Sequence, residues 1–293
     1  MNDSFVARFL FTHLGIRGAI VRLGAAWQSM QADRHYPEPV AGLLGELAAV
    51  TTLIGEQLKH PGRLTLQLRG DGPISLLVMD CNEQLQIRGM ARAPEDVAPA
   101  PVPVLLGVDQ GGQLMMSLDL PTAQRPYQSM VPLVGDSISD IFSHYLAQSE
   151  QQDAYLFSTA NTEVAACFFL QKLPDSEQQD ADAWARLRHL ALTLKAEELR
   201  TLEPATLLTR LFHEEMGEDG LELYAAQPVV HHCPEDWDKV RAMVRSLGES
   251  EARSILAEHG EIHLRDDICN RDYRFSKADI DLLFLENATQ VTH

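Results

Sequence analysis

The period of the hydrophobic pattern changes at Pro174, and this change limits the possible folds more than any other feature of the sequence. Upstream, runs such as residues 64–68 place apolar side chains at alternate positions, which is typical of β-strands with one buried face. Downstream of the acidic segment 175–182, apolar residues from Trp184 to Phe212 recur at helical spacing. The sequence therefore predicts a β-rich region followed by amphipathic helices.

The first clear element is a long helix over residues 40–58. Its apolar residues recur at helical spacing, and small residues such as Gly45 and Ala48 between them favour close packing. A second helix is expected where Ser137 and Asp140 form a capping pattern. Besides 64–68, strand character is found in the runs 74–79, 85–87, 114–120, 127–133, 155–159 and 164–171.

We predict an α+β protein with three domains. Residues 1–174 form an N-terminal β-rich core with packed helices, 175–217 a helical linker, and 218–293 a small C-terminal domain like a degenerate zinc-binding module. A helix with one apolar face usually packs on a neighbouring domain, so we expect the linker to lie on the first domain. A limited contact area would let it leave and expose two apolar surfaces.

Charge and hydropathy exclude several classes of protein. The chain of 293 residues has a net charge of −18 without a basic patch, which argues against nucleic acid and anionic membranes as partners. Its longest apolar run, 164–170, is too short to span a bilayer, and the first ten residues do not resemble a targeting segment. Four scattered cysteines do not suit a disulfide-rich secreted scaffold. We expect a cytoplasmic protein.

Potential metal ligands concentrate near the C-terminus. Cys233-x-Glu235 and Asp266-x-x-Cys269 have the offsets of a Cys-x-Cys and a Cys-x-x-Cys in which a carboxylate replaces one cysteine of each. The histidines of this stretch are His231, His232, His259 and His263.

Three interpretations of this stretch remain open. Cys233 and Cys269 could bind zinc together with Asp266, Glu235 or a histidine, more weakly than four thiolates would. The two cysteines could instead form a reversible disulfide, provided that their Cα atoms lie within about 7 Å. They could also be two ordinary thiols in a domain that is held by packing. That packing would involve Trp237, Val240, Met243, Ile255, Leu256, Tyr273 and Phe275.

Signals of catalysis are weak. The sequence lacks a phosphate loop, a dinucleotide-binding glycine pattern and a nucleophile elbow. Cys81 and Cys167 lie in or beside strand-like runs and are expected to be buried, and Glu163, Glu214 and Asp266 are expected to be solvated. We therefore predict no catalytic residues. Two alternative functions are a small zinc enzyme, with Glu235 as its base, and an interaction module for one dedicated partner.

The order of several short motifs resembles the redox-regulated 33-kilodalton heat-shock chaperonin family across nearly the whole chain. The motifs are Tyr36-Pro37-x-Pro39-Val40, Gln67-Leu68-x-Gly70-Asp71-Gly72-Pro73, Arg88-Gly89-x-Ala91-Arg92, Ser149-Glu150-Gln151, Arg210-Leu211-Phe212-His213-Glu214-Glu215, Ser254-Ile255-Leu256-Ala257-Glu258, Gly260-Glu261-Ile262, Cys269 and Tyr273-x-Phe275.

The resemblance implies a cytoplasmic holdase whose β-rich domain, helical linker and zinc domain respond to oxidation. In that family four thiolates hold zinc; oxidation releases it, two disulfides form, the linker and zinc domain unfold, clients bind, and dimerisation is favoured. Here Glu235 and Asp266 occupy two of the four thiolate positions, and Ala166-Cys167 replaces a glycine pair of the family.

Our hypothesis is an ATP-independent holdase chaperone that binds unfolded client proteins under heat or oxidative stress. Its linker would regulate access to an apolar surface. With only Cys233 and Cys269 as thiolates, zinc binding is expected to be weakened or absent. Activation would then depend on heat or on general oxidative unfolding of the last domain more than on thiol chemistry.

Overall fold

The chain forms two compact units, residues 1–232 and 233–293. The structure is a computed structural model that describes residues 3–58, 61–150, 153–174, 180–216 and 220–290. It contains both packed helices and β-sheets, which confirms the α+β prediction. The first unit includes the predicted core and the predicted linker, whose status as a separate domain stays a prediction.

The first sheet of unit 1 is antiparallel and is built mostly from the two ends of that unit. Its strand order is β10-β1-β2-β9-β8, and β11 pairs with β1. The strands are β1 (Phe5–Phe11), β2 (Ile16–Leu23), β8 (Ala154–Ala160), β9 (Ala165–Lys172), β10 (Leu221–Leu223) and β11 (Gln227–Pro228). Nearly every residue of β2 and β9 is buried, because both faces of the sheet are covered.

The second sheet follows the order β12-β5-β4-β3-β6-β7. Its strands are β3 (Arg63–Arg69), β4 (Leu76–Asn82), β5 (Gln86–Arg92), β6 (Gln113–Asp119), β7 (Tyr127–Pro132) and β12 (Val230–His231). The short β12 adds to β5 in parallel, whereas the other pairs are antiparallel. The strand character predicted in the runs 64–68, 74–79, 85–87, 114–120 and 127–133 is confirmed. Strands β3, β4 and β5 pair in sequence order as an antiparallel meander, and β6 pairs with the other edge of β3.

A central helix joins the two sheets in one core. It is α2 (Glu38–Glu56), and it packs against strands of both sheets. A Cβ atom at Gly45 would lie 2.7 Å from Ala160 Cβ, so the close approach of helix and sheet requires glycine there. Although α2 has the length and apolarity of a membrane-spanning helix, 72% of that window is buried inside the unit.

Smaller helices complete the first unit. They are α1 (Ala25–Gln31), α3 (Val102–Leu106), α4 (Ile138–Glu150), α5 (Ala183–Ala191), α6 (Ala196–Thr201) and α7 (Pro204–Phe212). Ser137 caps α4 as predicted, since its Oγ accepts a hydrogen bond from the Asp140 amide at 3.0 Å. Helices α5 to α7 cover the face of the first sheet opposite α2, so the predicted packing of the linker on the first domain is confirmed.

The second unit is a small helical and hairpin module. It contains α8 (Trp237–Leu247), α9 (Glu249–His259), β13 (Ile262–Asp266), β14 (Arg271–Phe275) and α10 (Lys277–Gln290). Its buried cluster consists of Val240, Val244, Ala252, Ile262, Tyr273, Phe275, Ile280 and Leu283. Met243, which was expected in this core, is 51% exposed, because α8 is amphipathic and Met243 lies on its outer side.

Three sequence-based expectations need qualification. Val40 is not the start of regular structure, because β1, β2 and α1 precede it. The residues after 220 first add edge strands to unit 1, and the second unit begins only at Cys233. The structure does not describe residues 175–179 and 217–219, which adjoin the predicted domain boundaries after residues 174 and 217. Gln151 and the side chains of Ser149 and Glu150 also lie outside the described residues.

Candidate functional site

The first candidate site is the face of the first sheet that lies under helices α5 to α7. We call it the covered face, defined by the buried side chains Phe5, Ala7, Phe9, Phe11, Ile16, Ile20, Ala166, Phe168 and Leu170. The helices contribute a matching apolar surface of Ala183, Leu187, Ala191, Leu194, Leu199, Leu207, Leu208, Leu211 and Phe212. Separation of the two would expose large apolar areas on both.

Aromatic rings form the centre of this contact. Phe212, at the end of α7, meets Phe11 edge to face with ring centroids 5.3 Å apart, and it stacks on Phe168 at 6.3 Å. Phe9 stacks on Phe168 in turn at 5.9 Å. Aromatic pairs in these geometries stabilise a contact by about 0.5–1.5 kcal/mol beyond the burial of area. Phe212 is therefore the principal apolar anchor of the linker.

Arg22 is the main polar contact between the sheet and the linker. Its Nη2 atom donates to the carbonyl oxygen of Leu199 at 3.0 Å and to that of Leu202, at the end of α6. The guanidinium also lies over the ring of Phe5, with 5.4 Å between Cζ and the ring centroid. Burial lowers the pKa of Arg22, although the charges of Glu203 and Asp3 oppose this shift. A buried cation thus binds the negative end of a linker helix.

The linker is also held together internally by ion pairs. Arg186 on α5 contacts Glu215 and Asp180, each at 2.9 Å, and Arg210 on α7 contacts Glu198 on α6 at 3.0 Å. These pairs join linker residues to one another and not to the sheet. The contact with the sheet is mainly apolar, with Arg22 and an Arg200–Thr159 hydrogen bond of 2.6 Å as polar links. This arrangement would let the linker leave the sheet without losing its own ion pairs.

The second candidate site is the thiol pair in unit 2. Cys233 begins the unit, and Cys269 lies in the turn between β13 and β14. The structure joins them as a disulfide with Cα atoms 5.5 Å apart, within the usual range for such a bond. Arg271 donates to the carbonyl oxygen of Cys233 at 3.1 Å and thus holds the same two segments together.

Asp266 and Glu235 make contacts with protein groups. Asp266 Oδ1 accepts hydrogen bonds from the amides of Ile268 and Cys269 at 3.0 and 3.1 Å, and so builds the hairpin turn. Glu235 Oε2 accepts a hydrogen bond from the indole of Trp237 at 2.9 Å. Both carboxylates therefore stabilise local structure.

The histidines of this stretch also have other partners. His231 Nδ1 lies 2.9 Å from Ser29 Oγ in unit 1, and burial followed by the charge of Arg34 lowers its pKa. His263 pairs with Asp272 across the β13–β14 hairpin at 2.8 Å, whereas His259 lies 3.8 Å from Glu258.

These donors do not fit the zinc ion that the family resemblance implies. Sulfur atoms bonded to each other are not thiolates, which are the form that binds zinc. Throughout the part of the chain that the structure describes, no three His, Cys, Asp or Glu side chains are grouped so that they could hold a metal ion.

The other candidate chemical groups are inert or solvated. Cys81 and Cys167 are fully buried free thiols; burial raises the pKa of Cys81 to about 12 and raises the pKa of Cys167 as well. Glu163 and Glu214 are exposed, as predicted. Asp266, which was expected to be solvated, is instead half-buried, because its carboxylate accepts hydrogen bonds from the turn amides of Ile268 and Cys269.

Sequence reasoning missed the covered face of β1 and the role of Arg22. The alternation of Phe5, Ala7, Phe9 and Phe11 is a period-two signal that identifies β1. No pattern in the sequence indicates that the charged Arg22 is buried, because its partners are backbone carbonyls far along the chain.

Comparison with known proteins gives consistent matches. The family model described as "Hsp33 protein" matches residues 4–276. Proteins named "33 kDa chaperonin" from Chromobacterium violaceum and Methylobacillus flagellatus are each 36% identical over 279 residues, which cover 94% of this chain and 92% and 93% of those proteins. The one from Pseudomonas fluorescens is 36% identical over 288 residues, with coverage of 97% and 94%.

A solved structure shows the same fold. The crystal structure of the 33 kDa chaperonin (heat shock protein 33 homolog) from Thermotoga maritima matches with a TM-score of 0.80 and 22% identity. The match covers 98% of this chain and 99% of that one.

Proposed function

This chain belongs to the Hsp33 protein family, and from that premise we propose that it is an ATP-independent holdase that captures unfolding proteins. Its capture surface is the covered face together with the apolar side of helices α5 to α7. The observation that carries the proposal is the contact between them, which is mainly apolar, whereas the ion pairs of the linker are internal. Release of the linker would expose apolar surface both on the covered face and on helices α5 to α7.

Activation depends mainly on heat or on general oxidative unfolding of the last domain. Zinc binding is weakened or absent, because Glu235 and Asp266 stand in for thiolates and are engaged by Trp237 and by the turn amides. We place the protein in the cytoplasm, with unfolded polypeptides as partners and a homodimer as the active form. The net charge of −18 supports protein clients over nucleic acid or membranes.

A client-protection assay tests this function. Several unrelated proteins are heated without nucleotide, and their aggregation is followed by light scattering with and without the chaperone. In the Arg22→Met variant, the carbonyls of Leu199 and Leu202 lose their charged donor, which costs roughly 1.5–3 kcal/mol of linker attachment. We expect protection to begin at a temperature about 5 °C lower than in the wild type.

The matched control is Arg69→Met, because Arg69 is exposed on β3. This variant should protect clients at the wild-type temperature. Protection of no client at any temperature would overturn the holdase proposal, and protection of one protein alone would favour the dedicated-partner alternative. The zinc-enzyme alternative receives no support from the positions of Cys233, Cys269 and Glu235, since the sulfurs are joined and the carboxylate is bound to Trp237.

A further inference from the structure

We infer that unit 2 contains a binding site for a small organic anion with an aromatic body, in a cavity lined by residues of α8, β14 and α10. We call it the arginine cavity. Its volume is about 440 Å³, which is typical of small-molecule sites and favours a small molecule over a polypeptide segment. The binding site itself does not depend on the proposed holdase function.

One part of the arginine cavity is apolar. Phe275 and Leu283 belong to the buried cluster of the unit, whereas Trp237 and Leu282 are 36% and 60% exposed. A ligand that packs against these side chains would remove their exposed area from water. The aromatic rings in this lining favour a ligand that is itself aromatic.

The indole of Trp237 is held in position by protein contacts. Its ring meets Tyr273 and Phe275 edge to face, with centroids 4.9 and 5.8 Å apart, and its Nε1 atom donates to Glu235 at 2.9 Å. Arg241 Cζ lies 5.9 Å from the centroid of the same ring. A ring that is already fixed loses little conformational freedom when a ligand binds. The cation beside it favours a ligand whose anionic group is attached to its aromatic body.

Three guanidinium groups line the arginine cavity. Arg241 and Arg245 are one turn apart on α8, and Arg274 lies on β14, where it pairs with the partly exposed Glu261 at 3.0 Å. They are three of the eight Lys and Arg residues in 233–293, although this part of the sequence has 13 Asp and Glu. Guanidinium groups bind carboxylate and phosphate through paired hydrogen bonds. The fold thus concentrates positive charge at one place in an acidic unit.

Two aspartates in the lining leave it with a net positive charge. Asp279 Oδ2 accepts hydrogen bonds from the hydroxyl and the amide of Ser276 at 2.6 and 2.7 Å, which lower the pKa of Asp279. The Asp238 side chain is 98% exposed, and its contact with Arg241 measures 3.4 Å. Water and salt screen such an exposed pair, so a ligand can compete with Asp238 for this guanidinium.

Nuclear magnetic resonance of the full-length protein tests the site. The chain has three tryptophans, of which Trp27 and Trp184 pack in the two apolar clusters of unit 1. Protein labelled with ¹⁵N at the indoles is titrated with 2-naphthoate and, separately, with 2-naphthyl phosphate. Either anion should shift the Trp237 signal alone and to saturation, and the stronger of the two identifies the preferred oxyanion. The Trp237→Phe variant assigns the signal.

The charge of the ligand is tested with uncharged 2-naphthamide. This compound has the same aromatic body and should bind about ten-fold more weakly, or more weakly still, because the guanidinium groups lose their charged partner. Equal binding of naphthoate and naphthamide would overturn the inference. An unchanged Trp237 signal with both anions would overturn it too, as would equal shifts of all three tryptophan signals.

Two neighbouring residues of α8 should change the affinity in opposite directions. Arg241→Gln should weaken binding of 2-naphthoate about ten-fold. Asp238→Asn removes the competing carboxylate and should tighten binding about two-fold. Arg265→Gln is the control with unchanged affinity, since Arg265 is exposed on β13 and is not part of the lining. If Arg241→Gln fails to fold, Asp238→Asn still decides, because weaker or unchanged binding in this variant would overturn the role of Arg241.

Occupancy of the arginine cavity would stabilise unit 2, because the ligand binds the folded lining and not the unfolded chain. This consequence for clients rests on the proposed function, which places activation in unfolding of the last domain. Saturating 2-naphthoate should then raise the onset temperature of client protection in the wild type and not in Arg241→Gln. Binding without such a rise would overturn the link to activation, whereas protection of no client at all would overturn the holdase proposal; the Trp237 shift supports the site in both cases.

Discussion

The contact between linker and sheet differs from unit 2 in how its parts are held together. The linker lies on the covered face through many fully buried apolar side chains, with Arg22 as the main polar link. Unit 2 buries a smaller cluster and adds a covalent bond between Cys233 and Cys269. The first region is therefore held mainly by apolar burial, whereas a crosslink restricts the unfolded form of unit 2.

This difference separates two ways in which the protein could open. An apolar contact can release a preformed surface while the linker keeps its own ion pairs, Arg186–Glu215 and Arg210–Glu198. A crosslink acts differently, because it favours the folded state of a small module by restricting the unfolded chain. The predictions below perturb one region at a time, from the largest expected effect to the smallest.

Truncation of Leu208 tests the linker contact most strongly. Leu208 is fully buried against the covered face, so Leu208→Ala should destabilise this contact by about 2–5 kcal/mol through lost burial and a new cavity. Binding of an apolar dye during a thermal ramp should begin at a clearly lower temperature. The control is Leu192→Ala, because Leu192 is 53% exposed, and its effect should stay within about 0.5 kcal/mol. Equal effects of the two variants would contradict the assignment of the covered face.

Glu46 on α2 tests the packing on the other face of the first sheet, through the dependence of unfolding stability on pH. Its Oε2 accepts a hydrogen bond from Ser158 Oγ at 2.6 Å, and burial raises its pKa from 4.5 to about 7. The folded state thus binds the proton more tightly than the unfolded state does. The tighter proton binding by folded Glu46 stabilises the folded state. This stabilisation is fully present below pH 4.5, is lost as the pH rises to about 7, and stays absent above.

Glu46→Gln should therefore stabilise unit 1 by about 3 kcal/mol at pH 8 and have little effect below pH 4.5. Urea unfolding at a series of pH values measures this, with the exposed Glu38→Gln as the control that should keep the wild-type pH profile. An equal change at pH 4 and pH 8 would show that Glu46 is not the titrating group. Hydrogen exchange of unit 2 should not respond to either variant.

Asp266 tests the β13–β14 turn of unit 2. Asp266→Ala removes the acceptor for two amides and should destabilise the unit by about 1–2 kcal/mol, without added zinc or chelator. Hydrogen exchange of β13 and β14 measures the change. Asp267→Ala is the control, since Asp267 is exposed and lies 3.7 Å from Arg265. If the Asp266 effect appears only when zinc is present, the carboxylate is a metal ligand and our assignment is wrong.

Local patterns were sufficient for most of the secondary structure. Alternation predicted β3 to β7, helical spacing predicted α2 and the linker helices, and Ser137 with Asp140 predicted the start of α4. These features depend on residues that are close in the sequence, where side-chain periodicity reflects one buried face. Met243 was misplaced because a residue near the edge of an apolar stripe can lie on either side of it.

The sequence by itself determined the α+β class, the change from strands to helices, and the spacing of Cys233-x-Glu235 and Asp266-x-x-Cys269. Only the tertiary structure decided that β1, β2 and β9 form a sheet covered on both faces, that Arg22 binds linker carbonyls, and that Cys233 lies beside Cys269. The reason is sequence distance. Arg22 and Leu199 are 177 residues apart, and their contact depends on how complete elements pack.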